Sequence, residues 1–316
     1  MTAPELDDGV RPRVFVGPAS VPELEAAVVA GGGELSGLGV AEAIVYFGSD
    51  EPEELRELIH DGIAWVQLPH AGVEPWQRAG LFDLPVAFTC SAGLYGRPVA
   101  EHVVALMLAA ARNLPRHIRE PHWQLDKLTT QVEGATALVI GGGGITSALL
   151  PMLTALGVRA VVVAQHDVPG ADEVVPREAF REWLPRAEYV VLAAPSTPET
   201  RHLISSAELG LMRQDAWLIN VGRGDLVATG DLVTALRAGT IAGAGLDVVD
   251  PEPLPEDHEL WQLPTVIVTS HSANPERSYW RLLAQRTEEN VREFSRQRGD
   301  GETLQLAGMV RSDRGY

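Results

Sequence analysis

Short runs of β-branched and aliphatic residues alternate along the chain with longer amphipathic stretches, the pattern of βαβ units built around parallel sheets. In the N-terminal part the apolar runs fall at 14–16, 43–46, 64–68 and 86–89, with helical stretches at 22–30, closed by Gly31-Gly32-Gly33, and at 53–60. A second, cleaner series of six runs follows at 137–140, 160–163, 189–192, 216–220, 241–245 and 266–268, the number needed for a complete dinucleotide-binding sheet. Ser205 with Glu208 reads as a capping box, and Gly239 as the stop of a helix over 231–238. Between the two series, residues 98–112 (PVAEHVVALMLAAAR) predict a helix too apolar to face water, which belongs at a domain boundary or a subunit interface. The polar stretch 120–133 reads as a crossover. Beyond the last run, 276–296 predicts a long charged amphipathic helix and 303–306 a strand returning to the first domain.

Composition narrows the class. The chain has 316 residues, enough for two domains, and its 31 glycines, 22 prolines and 6% aromatics fit an aliphatic α/β protein. The formal charge of −18, from 43 acidic and 25 basic residues, argues against nucleic acid and anionic membrane partners. An anionic substrate then needs a local basic centre, which directs attention to Arg223 among glycines. One cysteine, Cys90, rules out an intrachain disulfide and reads as a small buried apolar residue. Residues 1–10 are acidic without an apolar core, unlike a signal peptide, so a cytoplasmic location is expected. Residues 135–158 carry no charge over 24 positions, but Gly141 to Gly144 and Pro151 interrupt them; strand, glycine turn and buried helix is the better reading than a membrane span.

The glycine turn carries the first chemistry. Apolar residues 138–140 feed Gly141-Gly142-Gly143-Gly144-Ile145-Thr146 and then a helix over 147–156. Strand, glycine turn and helix is the context of a dinucleotide fingerprint: one glycine turns the chain, a second admits a pyrophosphate, and the helix start favours its charge. Gly141 and Gly143 fit those two roles, while Thr146 stands at the third position, which is ordinarily glycine. At the end of the next strand the fingerprint calls for an acid to hold the ribose 2′-hydroxyl or an Arg for a 2′-phosphate. The residues there are Ala164-Gln165-His166-Asp167, which leaves NAD and NADP both open.

Three later segments each follow a strand, where open α/β sheets bind ligands: Asn220-Val221-Gly222-Arg223-Gly224; Gly245-Leu246-Asp247-Val248, continuing to Asp250-Pro251-Glu252-Pro253-Leu254; and Thr269-Ser270-His271-Ser272-Ala273. With Val99-Ala100-Glu101-His102 and the turn Leu68-Pro69-His70-Ala71-Gly72-Val73, they resemble in order and spacing the D-2-hydroxyacid dehydrogenase family. The resemblance implies an α/β fold of two doubly wound parallel-sheet domains. These are a Rossmann dinucleotide-binding domain at 107–276 and a smaller flavodoxin-like substrate domain built from 1–106 and 277–316. It implies His271 as general acid/base, Glu252 as its carboxylate partner, and Arg223 as holder of the substrate carboxylate and polariser of the 2-oxo group, tasks these side chains suit chemically. It assigns Gly141, Gly143, Gly144, Ile145, Gln165, His166, Ala194, Pro195 and Asp247 to the cofactor, NAD or NADP. Ala71 and Gly72 it assigns to the substrate. No metal centre is implied. The expected partners are a small 2-oxo or 2-hydroxy acid and a second copy of the chain in a homodimer.

Simpler readings exist for other residues: His102 on its apolar helix, and His70, Tyr95 and Trp280, read as packing or surface residues. Two other functions compete with the first: a nucleotide-sensing binding protein on the same scaffold, and a dehydrogenase for another anion such as formate or phosphite.

Overall fold

The computed structural model describes residues 11–123, 129–298 and 303–310. The N-terminal residues 1–10 and part of the 120–133 crossover lie outside these. The chain divides into two compact units, Met1–Tyr95 with Glu276–Tyr316 and Gly96–Pro275.

The first unit contains β1 (Arg13–Pro18), β2 (Glu34–Leu35), β3 (Ala43–Phe47), β4 (Trp65–Gln67) and β5 (Ala87–Thr89). They form a parallel sheet of order β2-β1-β3-β4-β5, the flavodoxin-like arrangement. Alternate residues of β3 feed opposite faces: Ile44 and Tyr46 join one buried cluster, Ala43 and Val45 the other. The helix Glu276–Gln297 closes the second face. It is tied down inside the core, where Gln67 Nε2 donates to Thr287 Oγ1 at 2.6 Å and Asn290 Nδ2 to Gln67 Oε1 at 3.0 Å. So the first unit does draw on both chain ends.

The expected strand at 303–306 is absent. Leu304 and Leu306 enter the core from a loop, and the backbone here is paired with side chains: Gln305 N–H donates to Gln297 Oε1 and Ala307 N–H to Asn290 Oδ1. With those donors taken, only an isolated antiparallel bridge between Met309 and Thr89 remains.

The second unit contains β6 (Thr136–Ile140), β7 (Arg159–Val163), β8 (Glu173–Val175), β9 (Tyr189–Leu192), β10 (Trp217–Asn220), β11 (Gly243–Leu246) and β12 (Val266–Val268). Their order is β12-β11-β10-β9-β6-β7-β8, parallel throughout, which is the Rossmann order with one added strand. The short, partly polar β8 carries no periodic signal and is missing from the sequence reading. Helices cover both faces, so the central strands bury apolar residues on each: Leu138 and Ile140 join one cluster, Ala137 and Val139 the other. The uncharged segment 135–158 resolves into β6, the glycine turn and the helix Gly144–Ala155. Among the described residues no helix is long and apolar enough to cross a membrane.

The helix Gly96–Ala111 belongs entirely to the second unit, whereas the sequence places a domain boundary inside it, at 106/107. It lies against helix Gly144–Ala155 and over β10 and β11, and glycines allow the approach. A Cβ on Gly96 would sit 2.4 Å from the Gly144 carbonyl oxygen.

The capping box forms as expected. The Glu208 carboxylate accepts from the Ser205 N–H at 3.0 Å and hydroxyl at 2.6 Å, and it pairs with Arg181. Burial opposes its charge, but the bonds from Ser205 and Arg181 prevail and hold the carboxyl below its usual range. Replacing Glu208 by Ala should cost about 1–2 kcal/mol near neutral pH, read by chemical denaturation. Because the folded-state pKa is depressed, that difference should be present above the ordinary carboxylate range and vanish as pH falls through the folded value.

Candidate active site

Every strand of the second sheet runs the same way, so the segments after β6, β7, β9, β10, β11 and β12 all emerge at one edge. After β6 the chain turns at Gly141, whose φ is +114°. A Cβ there would lie 2.5 Å from the Ala193 carbonyl oxygen, so only glycine fits beside the loop of Ala194 and Pro195. Gly143 caps helix Gly144–Ala155 without any side-chain hydrogen bond, and a Cβ on it would meet nothing within 4 Å. The space beside Gly143 at the start of the helix is therefore open, a cradle that fits a pyrophosphate. Ile145 is half-buried beside this turn.

Thr146 takes the third fingerprint position without crowding it. Its side chain is buried, and its hydroxyl donates to the Gly141 carbonyl at 2.5 Å, which closes the turn from inside. At the end of β7, Gln165 and His166 are exposed, and the His166 ring lies beside Gly142, 3.3 Å from where a Cβ would be.

After β10, buried Asn220 shapes the arginine loop: its Oδ1 accepts from Gly222 N–H at 3.1 Å and its Nδ2 donates to the Arg223 carbonyl at 2.8 Å. The guanidinium of Arg223, half-buried, donates to the Gly222 carbonyl at 2.7 Å. Gly224 is required by contact, since a Cβ would fall 1.9 Å from the Val249 carbonyl oxygen. That packing sets the arginine loop directly against the segment leading to Glu252.

His271 and Glu252 meet. Nδ1 of the imidazole lies 2.7 Å from Glu252 Oε1, with the side chains 58% and 41% exposed. An ion pair so exposed adds about 0–1 kcal/mol to stability, so its physical consequence is orientation. A carboxylate only accepts, which makes Nδ1 the protonated nitrogen and leaves Nε2 to exchange a proton.

The backbone of His271 is held in the left-handed region, φ +49°, an uncommon conformation for a non-glycine residue. Asp247, 2% exposed, imposes it: its carbonyl accepts from His271 N–H at 2.8 Å, and its carboxylate accepts from the N–H groups of Ser272 and Ala273 and the Thr269 hydroxyl.

Asn220 and Thr269 shape the site although the motifs that contain them give them no role. A buried polar residue at the last position of an apolar strand is the signal that marks Asn220. In the first unit, Ala71 and Gly72 lie half-buried in the loop after β4. Also there, Tyr95 stacks on Tyr279 at 5.5 Å and donates to the Pro69 carbonyl, its hydroxyl pushed up to about 12 by burial; Trp280 packs on Phe47. A cavity of about 440 Å³ in the second unit, lined by Arg177, Phe180, Leu203, the capping pair Ser205 and Glu208 and its partner Arg181, includes none of the residues assigned to the site.

The family model for the D-isomer specific 2-hydroxyacid dehydrogenase NAD binding domain matches residues 104–273. The chain belongs to the D-isomer specific 2-hydroxyacid dehydrogenase family. Similarity extends further: an uncharacterised protein of Corynebacterium melassecola is 35% identical over 280 residues, 86% of this chain and 91% of that one. The glyoxylate reductase of Aeropyrum pernix is 32% identical over 67% of each chain. The D-isomer specific 2-hydroxyacid dehydrogenase of Xanthobacter autotrophicus Py2, solved with NADPH and MES, superposes with a TM-score of 0.82 at 26% identity, covering 97% of this chain and 99% of that one. The second unit of this dehydrogenase is therefore its NAD(P)-binding domain, and the glycine cradle after β6 is built as such a domain requires.

Replacing Thr146 by Val in this dehydrogenase keeps the volume but leaves the Gly141 carbonyl without its donor. The expected cost is about 1–3 kcal/mol of stability, with weaker binding of reduced cofactor, read by denaturation and by fluorescence titration.

Proposed function

We propose that this dehydrogenase interconverts a small D-2-hydroxy acid and its 2-oxo acid, with His271 as the proton-transferring group. The observation that carries the reading is the 2.7 Å pairing of His271 Nδ1 with Glu252, which leaves Nε2 to work. The nicotinamide cofactor, when bound, supplies or accepts the hydride. In the oxidising direction His271 Nε2 takes the hydroxyl proton; in reduction it returns that proton to the oxygen where negative charge develops. Glu252 keeps the imidazole in one tautomer and balances its charge when both nitrogens are protonated. Arg223, permanently charged and forked, receives the substrate's carboxylate and polarises its 2-oxo group.

The groups proposed to hold the cofactor are Gly141, Gly143, Gly144 and Ile145 at the pyrophosphate, Gln165 and His166 at the adenosine ribose, Ala194 and Pro195 along the wall, and Asp247 near the nicotinamide. With Ala164 where an acid would repel a 2′-phosphate, NADPH is accepted along with NADH.

A homodimer is part of the proposal. On the second unit, Leu108, Leu114, Ile118 and Trp261 are 38%, 41%, 79% and 40% exposed, and Leu114, Ile118 and Trp261 line an apolar groove of about 290 Å³. Side chains of this kind in one region mark an interaction surface.

Two measurements test these readings. A panel of 2-oxo acids that includes glyoxylate, run with NADH and NADPH, should show turnover, and His271→Ala should lower kcat by roughly 10²–10⁴ with unchanged circular dichroism. Cofactor binding without turnover on any acid would point instead to a nucleotide sensor. Light scattering should give twice the chain mass for the wild type, and Ile118→Asp should shift it toward the monomer.

A further inference from the structure

His102 sits on the apolar helix Gly96–Ala111, where packing alone would account for a leucine, yet its imidazole reaches the end of β12. Its Nε2 is 3.0 Å from Thr269 Oγ1 and 3.5 Å from Asp247 Oδ1. Thr269 Oγ1 is in turn 2.6 Å from the same carboxylate oxygen. The proton directions follow from the donor inventory. A threonine hydroxyl has one hydrogen and a carboxylate has none, so Thr269 donates to Asp247 and must accept from His102. His102 Nε2 is therefore protonated, and the relay runs one way: imidazole to hydroxyl to carboxylate.

What that carboxylate does gives the relay its consequence. Asp247 Oδ1 also accepts from Ser272 N–H at 2.9 Å and Oδ2 from Ala273 N–H at 3.2 Å, the two residues after His271. Its buried charge needs donors, and His102 brings a basic side chain within ion-pair distance. Without His102 the Thr269 hydroxyl gains freedom to turn away, and the carboxylate then loses a donor and its fixed rotamer. The turn that forces His271 to positive φ would loosen with it.

We propose that His102 is a positioning residue for His271, acting through Thr269 and Asp247. The inference rests on the reading of His271 as the proton-transferring group. It assigns His102 no contact with substrate.

The test compares His102→Leu, His102→Gln, Thr269→Val and the Leu/Val double variant, with His271→Ala as reference, in reduction of the best 2-oxo acid of the panel. Glutamine places an amide N–H close to where Nε2–H stands; leucine packs but cannot donate. His102→Leu and Thr269→Val should each lower kcat by about ten- to a hundredfold, the scale of a small misplacement of a reacting group, with KM changed less than kcat. His102→Gln should recover most of kcat, and the double variant should be no worse than the weaker single one. A purely structural role predicts kcat that follows the melting temperature, with Gln no better than Leu. That result overturns the proposal, as would wild-type kcat in His102→Leu or additive losses in the double variant. Should His102→Leu fail to fold, Thr269→Val and His102→Gln still decide, since full activity in the former or none in the latter contradicts the relay. If His271→Ala turns over normally, or the wild type reduces no 2-oxo acid, the reading of His271 falls and this one with it; an inactive His271→Ala beside an unaffected His102→Leu removes this one alone.

Discussion

The parallel direction of the seven-stranded sheet is the constraint on which the rest of the second unit depends. Parallel strands need a crossover each, and each crossover returns the chain to the same starting edge. The opposite edge therefore collects every strand's carboxyl end. The glycine turn after β6, the arginine loop after β10, the Asp247 and Glu252 segment after β11 and the His271 turn after β12 are neighbours for that reason. Their separation along the chain, from Gly141 to His271, is irrelevant once the strands pair.

Within that edge the backbone is held by buried polar side chains. Asn220 binds two groups of its own loop, and Asp247 binds the turn that follows the next strand. Both are nearly inaccessible, at 1% and 2% exposure, so water does not compete for these bonds and their loss would leave buried groups unpaired. The His271 and Glu252 side chains stand in contrast, exposed and worth little to stability. Rigid buried carboxylate and amide below, accessible imidazole and carboxylate above: the division matches a surface that must present a group to something that arrives from solution.

Thr146 shows how a departure from a motif is absorbed. Glycine at the third fingerprint position relieves crowding between helix and strand. Here a threonine fits because its buried hydroxyl finds the Gly141 carbonyl and closes the turn from inside.

Local chemistry in the sequence determined the strand and helix segments with strong periodicity, the turns at Gly141 and Gly239, the capping box of Ser205 and Glu208, and the order of the motifs that mark the family. Each depends on residues a few positions apart, where steric and hydrogen-bonding preferences act directly on φ and ψ. Tertiary structure alone decided the order of strands in each sheet, the membership of helix Gly96–Ala111, the short β8, and the loop at 303–307, where Gln297 accepts from the Gln305 N–H and Asn290 from the Ala307 N–H. It also decided that His102 meets Thr269, a residue 167 positions away. Pairings over such distances are selected by which surfaces pack and which buried polar groups then lack a partner, and no local period records either.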